Sequence, residues 1–155
     1  MREIKIGQGL GEIKFGISRE ELEKIMGKPD ELENYSYSNS EEDKTESWHY
    51  DKLDVSFSFD EQDDWELGAI SITSKDYLFN GKALIGKTEE EALNFITSIY
   101  PEDIKHEFST FDDDKDRILV DFEDLGLNFW FMNGILEEIE WSVLWDENDM
   151  QIWPE

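Results

Sequence analysis

Alternation is the clearest signal in this chain. Tyr50, Leu53, Val55, Phe57 and Phe59 carry large apolar side chains along a stretch whose intervening residues are mostly small or polar. Phe122, Leu125, Leu127, Phe129 and Phe131 write the same pattern again. A period of two sends alternate side chains to one side of a strand, so each stretch predicts an antiparallel hairpin with one buried face. A further strand follows each hairpin, marked by Ile70 and Ile72 in the first case and by Ile139, Trp141 and Val143 in the second. Helical periodicity takes over at two places. Gly16-Ile17-Ser18-Arg19-Glu20-Glu21-Leu22 and Gly86-Lys87-Thr88-Glu89-Glu90-Glu91-Ala92 each set Ser or Thr three residues ahead of Glu. That spacing closes a capping box, and the carboxylate also faces the positive end of the helix. Leu22, Ile25 and Met26 predict one apolar helix face, and Ala92, Phe95, Ile96 and Ile99 the other. Gly27 with Pro29 should end the first helix and Pro101 the second.

Because both the helix start and the hairpin occur twice, the chain reads as a duplication. The expected fold class is α+β: two tandem helix-plus-antiparallel-hairpin repeats forming a curved antiparallel sheet with helices packed on one face. Residues 1–155 then make one structural domain, with a first repeat at 16–73 and a second at 84–145. Tyr35 to Ser47 is polar and reads as loop or edge strand, and Asp60-Glu61-Gln62-Asp63-Asp64 reads as a hairpin tip. Gly7-Gln8-Gly9-Leu10-Gly11 has the glycine spacing of a phosphate loop, but Glu12-Ile13-Lys14-Phe15 alternates instead of opening a helix, so a turn between strands is expected.

Charge changes the picture most. With 14 Lys+Arg against 40 Asp+Glu the formal charge is −26, which repels phosphate backbones and anionic lipid headgroups; neither nucleic acid nor membrane is an expected partner. The absence of cysteine excludes thiol catalysis, disulfides, iron–sulfur clusters and Cys-based zinc sites. Met1-Arg2-Glu3-Ile4-Lys5-Ile6 lacks the apolar core of a secretory leader, so a cytoplasmic location is expected.

Strand parity defines a second surface. If Trp48, Tyr50, Phe57 and their partners face the core, then His49, Asp54, Ser56, Ser58, Ser71, Asp121, Asn128, Trp130, Glu138, Glu140 and Ser142 face the other way. Trp130 is the rigid anchor type among them, and Asn128, Asp121, Glu138, Glu140, His49 and Asp54 surround it as candidate partner-binding residues. Glu138 and Glu140, two apart on a strand, are about 6–7 Å apart along it, a spacing seen in paired glycosidase carboxylates; with Trp130 they support an alternative carbohydrate-binding or carbohydrate-processing reading. His49 and His106 sit in no nucleophile or zinc motif, so no catalytic residue is assigned and no cofactor is expected. Asp112, Asp114, Asp116 and Glu123 match the ligand positions of a calcium loop, but Arg117 takes the place of the required glycine and Ile118-Leu119-Val120 reads as strand. A solvated acidic tip is the expectation there.

The helix opening Gly16-x-Ser18 with Glu21, closing on Gly27 and Pro29 and followed by an aromatic hairpin, resembles the small outer-membrane assembly lipoprotein domain of the SmpA/OmlA type. Two such units in tandem are similar to the beta-lactamase inhibitory protein architecture, and the likeness implies a concave sheet that grips a partner protein. A small, acidic, cytoplasmic chain also resembles bacterial immunity proteins. The resemblance implies a non-enzymatic inhibitor or immunity-type protein whose partner is basic, such as a toxin.

Overall fold

The apolar half of each alternating stretch lands on one side of a single large sheet. The computed structural model describes residues 2–36, 44–100 and 104–154. In chain order its elements are β1 (Glu3–Lys5), β2 (Gly9–Leu10), β3 (Ile13–Lys14), α1 (Arg19–Met26), β4 (Glu31–Ser36), β5 (Lys44–Tyr50), β6 (Val55–Asp60), β7 (Glu66–Ile72) and β8 (Leu78–Phe79). There follow α2 (Glu89–Ile99), β9 (Glu107–Thr110), β10 (Arg117–Phe122), β11 (Leu127–Met132), β12 (Ile135–Ser142), β13 (Leu144–Trp145) and β14 (Gln151–Ile152). Single 3-10 turns at Glu61–Asp63 and Glu123–Leu125 close two of the hairpins.

Eight strands form the main sheet in the order β4-β5-β6-β7-β12-β11-β10-β9, antiparallel at every pairing. A smaller sheet runs β3-β2-β1-β8, and β13 pairs with β14 as a separate hairpin. Trp48, Tyr50, Val55, Phe57, Phe59, Ile70, Ile72, Val120, Phe122, Phe129, Phe131, Ile139 and Trp141 are all buried on the inner face. They join one cluster with Leu22 of α1, Ala92 and Ile96 of α2, and Ile4, Leu10, Ile13 and Phe79 of the smaller sheet. Burying a side chain of this size is worth about 1.5–3 kcal/mol, so this layer holds the molecule together.

Both helix starts form as the Ser/Thr-x-x-Glu spacing requires. The Glu21 amide donates to Ser18 Oγ at 3.1 Å and the Ser18 amide to Glu21 Oε1 at 3.1 Å. The Glu91 amide donates to Thr88 Oγ1 at 3.2 Å, and the Thr88 hydroxyl donates to Glu91 Oε1 at 3.0 Å. The Thr88 contacts lower the Glu91 pKa. At Gly27 α1 stops with φ at +80°. At the start of β2, Gly9 has φ +142°, and a Cβ there would sit 2.0 Å from the Ile13 carbonyl oxygen. The Gly9 carbonyl in turn accepts from Trp141 Nε1 at 2.9 Å, tying the smaller sheet to the main one.

The structure overturns the expected α+β class of paired helix-plus-hairpin repeats. About 45% of the described residues are strand and 17% helix, which makes the protein mostly β, organised by one eight-stranded sheet and carrying two short helices. The expectation counted only strands with a strong apolar period. The polar edge strands β4 and β9, every residue exposed, carry no such period, and the two- and three-residue strands of the smaller sheet are too short to show one. Ile25 is also corrected: it is 57% exposed, leaving Leu22 as the buried anchor of α1. Leu53, matched in sequence to buried Leu125, is 42% exposed in the turn before β6. Pro101 and residues 37–43 of the polar segment lie outside the described residues.

Candidate functional site

The sheet face opposite the core carries polar side chains in continuous rows. One row crosses all eight strands through Glu31, His49, Ser56, Ser71, Glu140, Asn128, Asp121 and Glu107. Its centre is a concavity of about 460 Å³. Ser47, Ser56, Ser58, Ala69 and Ser71 form the floor, with Tyr35 and His49 toward one side and Glu138 and Glu140 toward the other. The floor is low because its side chains are small. His49 on β5 and Glu140 on β12 stand three strand spacings apart, about 14 Å, wide enough for a long side chain or an extended segment.

Hydroxyl groups line the first-half wall. Tyr35 Oη and Ser47 Oγ are 3.1 Å apart and Ser47 Oγ and Ser58 Oγ 3.0 Å, a chain of hydrogen bonds along the floor. His49 Nδ1 lies 2.6 Å from Ser56 Oγ. Its Nε2 lies 3.2 Å from Glu33 Oε1, without hydrogen-bond geometry. Ser56, His49 and Glu33 have the composition of a nucleophile, base and acid. Ser56, however, lies on β6, which is paired with both β5 and β7. Its neighbouring N–H groups belong to the ladder, and the strand has no elbow to aim them at an oxyanion.

The opposite wall is acidic. Asn128 Nδ2 donates to Glu140 Oε1 at 3.0 Å. Burial raises the Glu138 carboxyl above its ordinary pKa, Glu140 raises it further and Arg117 pulls it back. Asp121 is raised by burial first and by Glu123 and Glu107 after that. Asp51, Asp54, Glu138 and Glu140 line the concavity, and among the described residues no Lys or Arg does. At this wall Glu138 and Glu140 crowd each other in a place where water screens them less than at an open surface, and Arg117 offsets part of that repulsion.

Trp130 is not the open anchor that strand parity suggested. It is half-buried; Phe111 stacks on it with ring centroids 5.8 Å apart and 25° between planes, and the Arg117 guanidinium lies 4.1 Å from its ring centre. The stacking surface that a sugar would use is therefore occupied in part by Phe111. Trp130 Nε1 is buried without a hydrogen-bond partner. Trp130 pairs across the ladder with Glu138, so it backs the acidic wall instead of projecting from it.

The calcium-type set is not assembled. Asp112, Asp114 and Asp116 lie in the turn before β10, where Asp114 Oδ1 accepts from the Asp116 amide at 3.3 Å, whereas Glu123 lies beyond β10's far end. A six-residue strand separates them by about 20 Å. Among the described residues no group of three or more His, Asp or Glu is placed to hold a metal.

His49, Asp54, Glu138 and Glu140 thus meet at one concavity, Asn128 and Asp121 extend it along the row, and Trp130 supports it. Sequence reasoning missed Tyr35, which sits in a polar stretch without period, and Phe111 and Arg117, which reach the face from a turn and a strand end. Among the described residues no helix is long and apolar enough to cross a membrane. Comparison with models of protein families, with curated proteins and with solved structures finds no match. Function must be argued from the site.

Proposed function

We propose that this protein is a non-enzymatic binding protein of the inhibitor or immunity type, which captures a basic protein partner on the open face of its eight-stranded sheet. The observation that carries the reading is the concavity itself: a serine floor with room for a side chain, walled by Glu138 and Glu140, with no Lys or Arg among the described residues that line it. A lysine or arginine entering it would place a positive charge beside the buried Glu138 and its neighbour Glu140 and would find hydroxyl oxygens beneath it. The surrounding charge of −26 would steer such a partner in, giving fast and salt-sensitive association. A chain without cysteine suits a reducing compartment, and the reading takes the protein as cytoplasmic.

The test uses a panel of purified basic proteins, nuclease toxins among them, titrated calorimetrically at low and at physiological salt. One of them is expected to bind saturably and to weaken as salt rises. The Glu138→Lys/Glu140→Lys double variant is expected to lose at least a hundredfold in affinity. Binding that is unaffected by this charge reversal, or no binding to any member at low salt, overturns the proposal.

A further inference from the structure

The concavity holds a cation in reserve. No Lys or Arg is among the described residues that line it, so His49 is the one lining side chain able to carry a positive charge. Histidine is the side chain whose charge ordinarily changes between about pH 5 and 8. The ring is fixed in the wall. His49 pairs with Glu31 on β4 and with Ser56 on β6, its Nδ1 lies 2.6 Å from Ser56 Oγ, and its side chain is 25% exposed. Nε2 is buried, makes no hydrogen bond, and lies 3.2 Å from Glu33 Oε1. A neutral imidazole donates from one nitrogen only, whereas the protonated ring donates from both. Its two N–H groups then face Ser56 Oγ and the Glu33 carboxylate, acceptors already in place. A charge gained here stays beside the concavity instead of swinging out to solvent.

The charged groups around it, among the described residues, are carboxylates. Glu31 and Glu33 come from β4, Asp51 and Asp54 from the turn between β5 and β6, and Glu138 and Glu140 from β12 across the floor. Ser71, from β7, is neutral. Arg117 acts on Glu138 but lines no part of the concavity. An ammonium or guanidinium seated between the walls stands about 7 Å from His49, half of the three strand spacings that separate it from Glu140. A second positive charge at that range weakens its binding about tenfold. We propose that His49 is the gate of the capture site: the neutral ring leaves the concavity to a partner's lysine or arginine, and the protonated ring is a competing cation that drives the partner out. This regulation rests on the capture of a basic partner argued above. Falling pH also protonates Glu138, with the same sign of effect on capture, so the two groups must be separated by experiment.

The probe is octalysine, titrated calorimetrically into the full chain and into His49→Gln at constant low ionic strength, at pH 8 and at pH 6. At pH 8 the two proteins are expected to bind alike. Between pH 8 and pH 6 the parent is expected to lose about tenfold in affinity and His49→Gln, which keeps Glu138, less than about threefold. Linkage supplies a second readout on the parent alone, because a proton that opposes the probe is opposed by it to the same degree. In proton NMR at pH 6, saturating octalysine should lower the protonated fraction of His49. His106, the other histidine of the chain, packs against Phe108 and Phe122 away from the concavity and should not respond. An equal loss in parent and variant overturns the gate, and so does an equal response of the two histidines, which would mean that octalysine coats the whole acidic surface. Binding that ignores pH overturns the gate and leaves capture standing, while absence of binding at both values removes both. Should His49→Gln not fold, as its melting temperature would show, the NMR comparison decides alone.

Discussion

The two halves of the open sheet face are built on the same backbone geometry and behave oppositely. Over β5, β6 and β7 the outward positions are mostly short, Ser47, Ser56, Ser58, Ala69 and Ser71 beside His49; Ser47 bonds Ser58, Ser56 bonds His49, and space is left above them. Over β10, β11 and β12 the outward positions are Asp121, Asn128, Trp130, Glu138 and Glu140, long side chains that fill their own space and pair with Arg117, Phe111 and each other. The buried faces beneath are alike in their aromatic content. A sheet's recognition surface can thus be shaped without disturbing the core, because strand parity separates the two sets of side chains.

Substitutions can sharpen that contrast. The largest effect on stability is expected from Trp130→Ala, which strips the packing of Phe111 and Arg117 and should cost about 2 kcal/mol in urea unfolding. If it costs nothing, the second half is as loosely filled as the first. Tyr50 and Tyr77 come next. Their hydroxyls donate to the carbonyls of Gly27 at 2.8 Å and Leu53 at 2.6 Å, and burial pushes both phenols from 10.0 up to about 12. Because the folded value is the higher one, the stability they confer is complete below pH 10 and is lost as pH rises toward 12. Tyr77→Phe should cost about 1 kcal/mol at neutral pH and flatten the alkaline unfolding curve.

Arg117→Met is expected to cost about 1 kcal/mol through the lost cation–π contact. It should also move the Glu138 carboxyl further upward in an NMR titration, since Arg117 is the group that pulls it down. A downward or absent shift would separate Arg117 from the acidic wall. Glu138→Gln should raise the urea midpoint at neutral pH. The Glu138 carboxyl titrates higher in the folded chain than in the unfolded one, so its ionisation opposes folding above the folded pKa. That opposition fades as pH falls through the folded value and is gone below the unfolded one, where the variant and parent should converge. Ser58→Ala, at the bottom of the scale, should change stability by less than about 0.5 kcal/mol; a larger loss would mean that the serine chain is structural.

How much of this the sequence disclosed depended on whether packing wrote a period into it. The inner face was legible from Trp48 to Trp141, because buried strand residues must alternate and every one of them is buried. Both capping boxes were legible because the spacing of Ser18 to Glu21 and of Thr88 to Glu91 is itself the mechanism. The outward membership of His49, Glu138 and Glu140 followed by parity, whereas Asp54 reaches the concavity from the turn before β6, with φ +51°. The class of the fold was not legible: β4 and β9 are exposed along their whole length, and an exposed strand imposes no period on its side chains. Nor was the covering of Trp130, since Phe111 reaches it from a turn whose path no local pattern sets.

β4 and β9 close the main sheet, and among the described residues neither has a neighbour on its outer side. Glu31, Glu33 and Glu107 stand along those two margins. An unpaired strand margin is a template for another chain, and here carboxylates guard it in place of proline or a covering helix. The guard is ionic, so its strength follows the solution: dissolved electrolyte at about 1 M shortens the reach of such charges to about 3 Å. Concentrated brine, which spares the oily interior, is thus the condition under which these molecules would begin to zip into filaments.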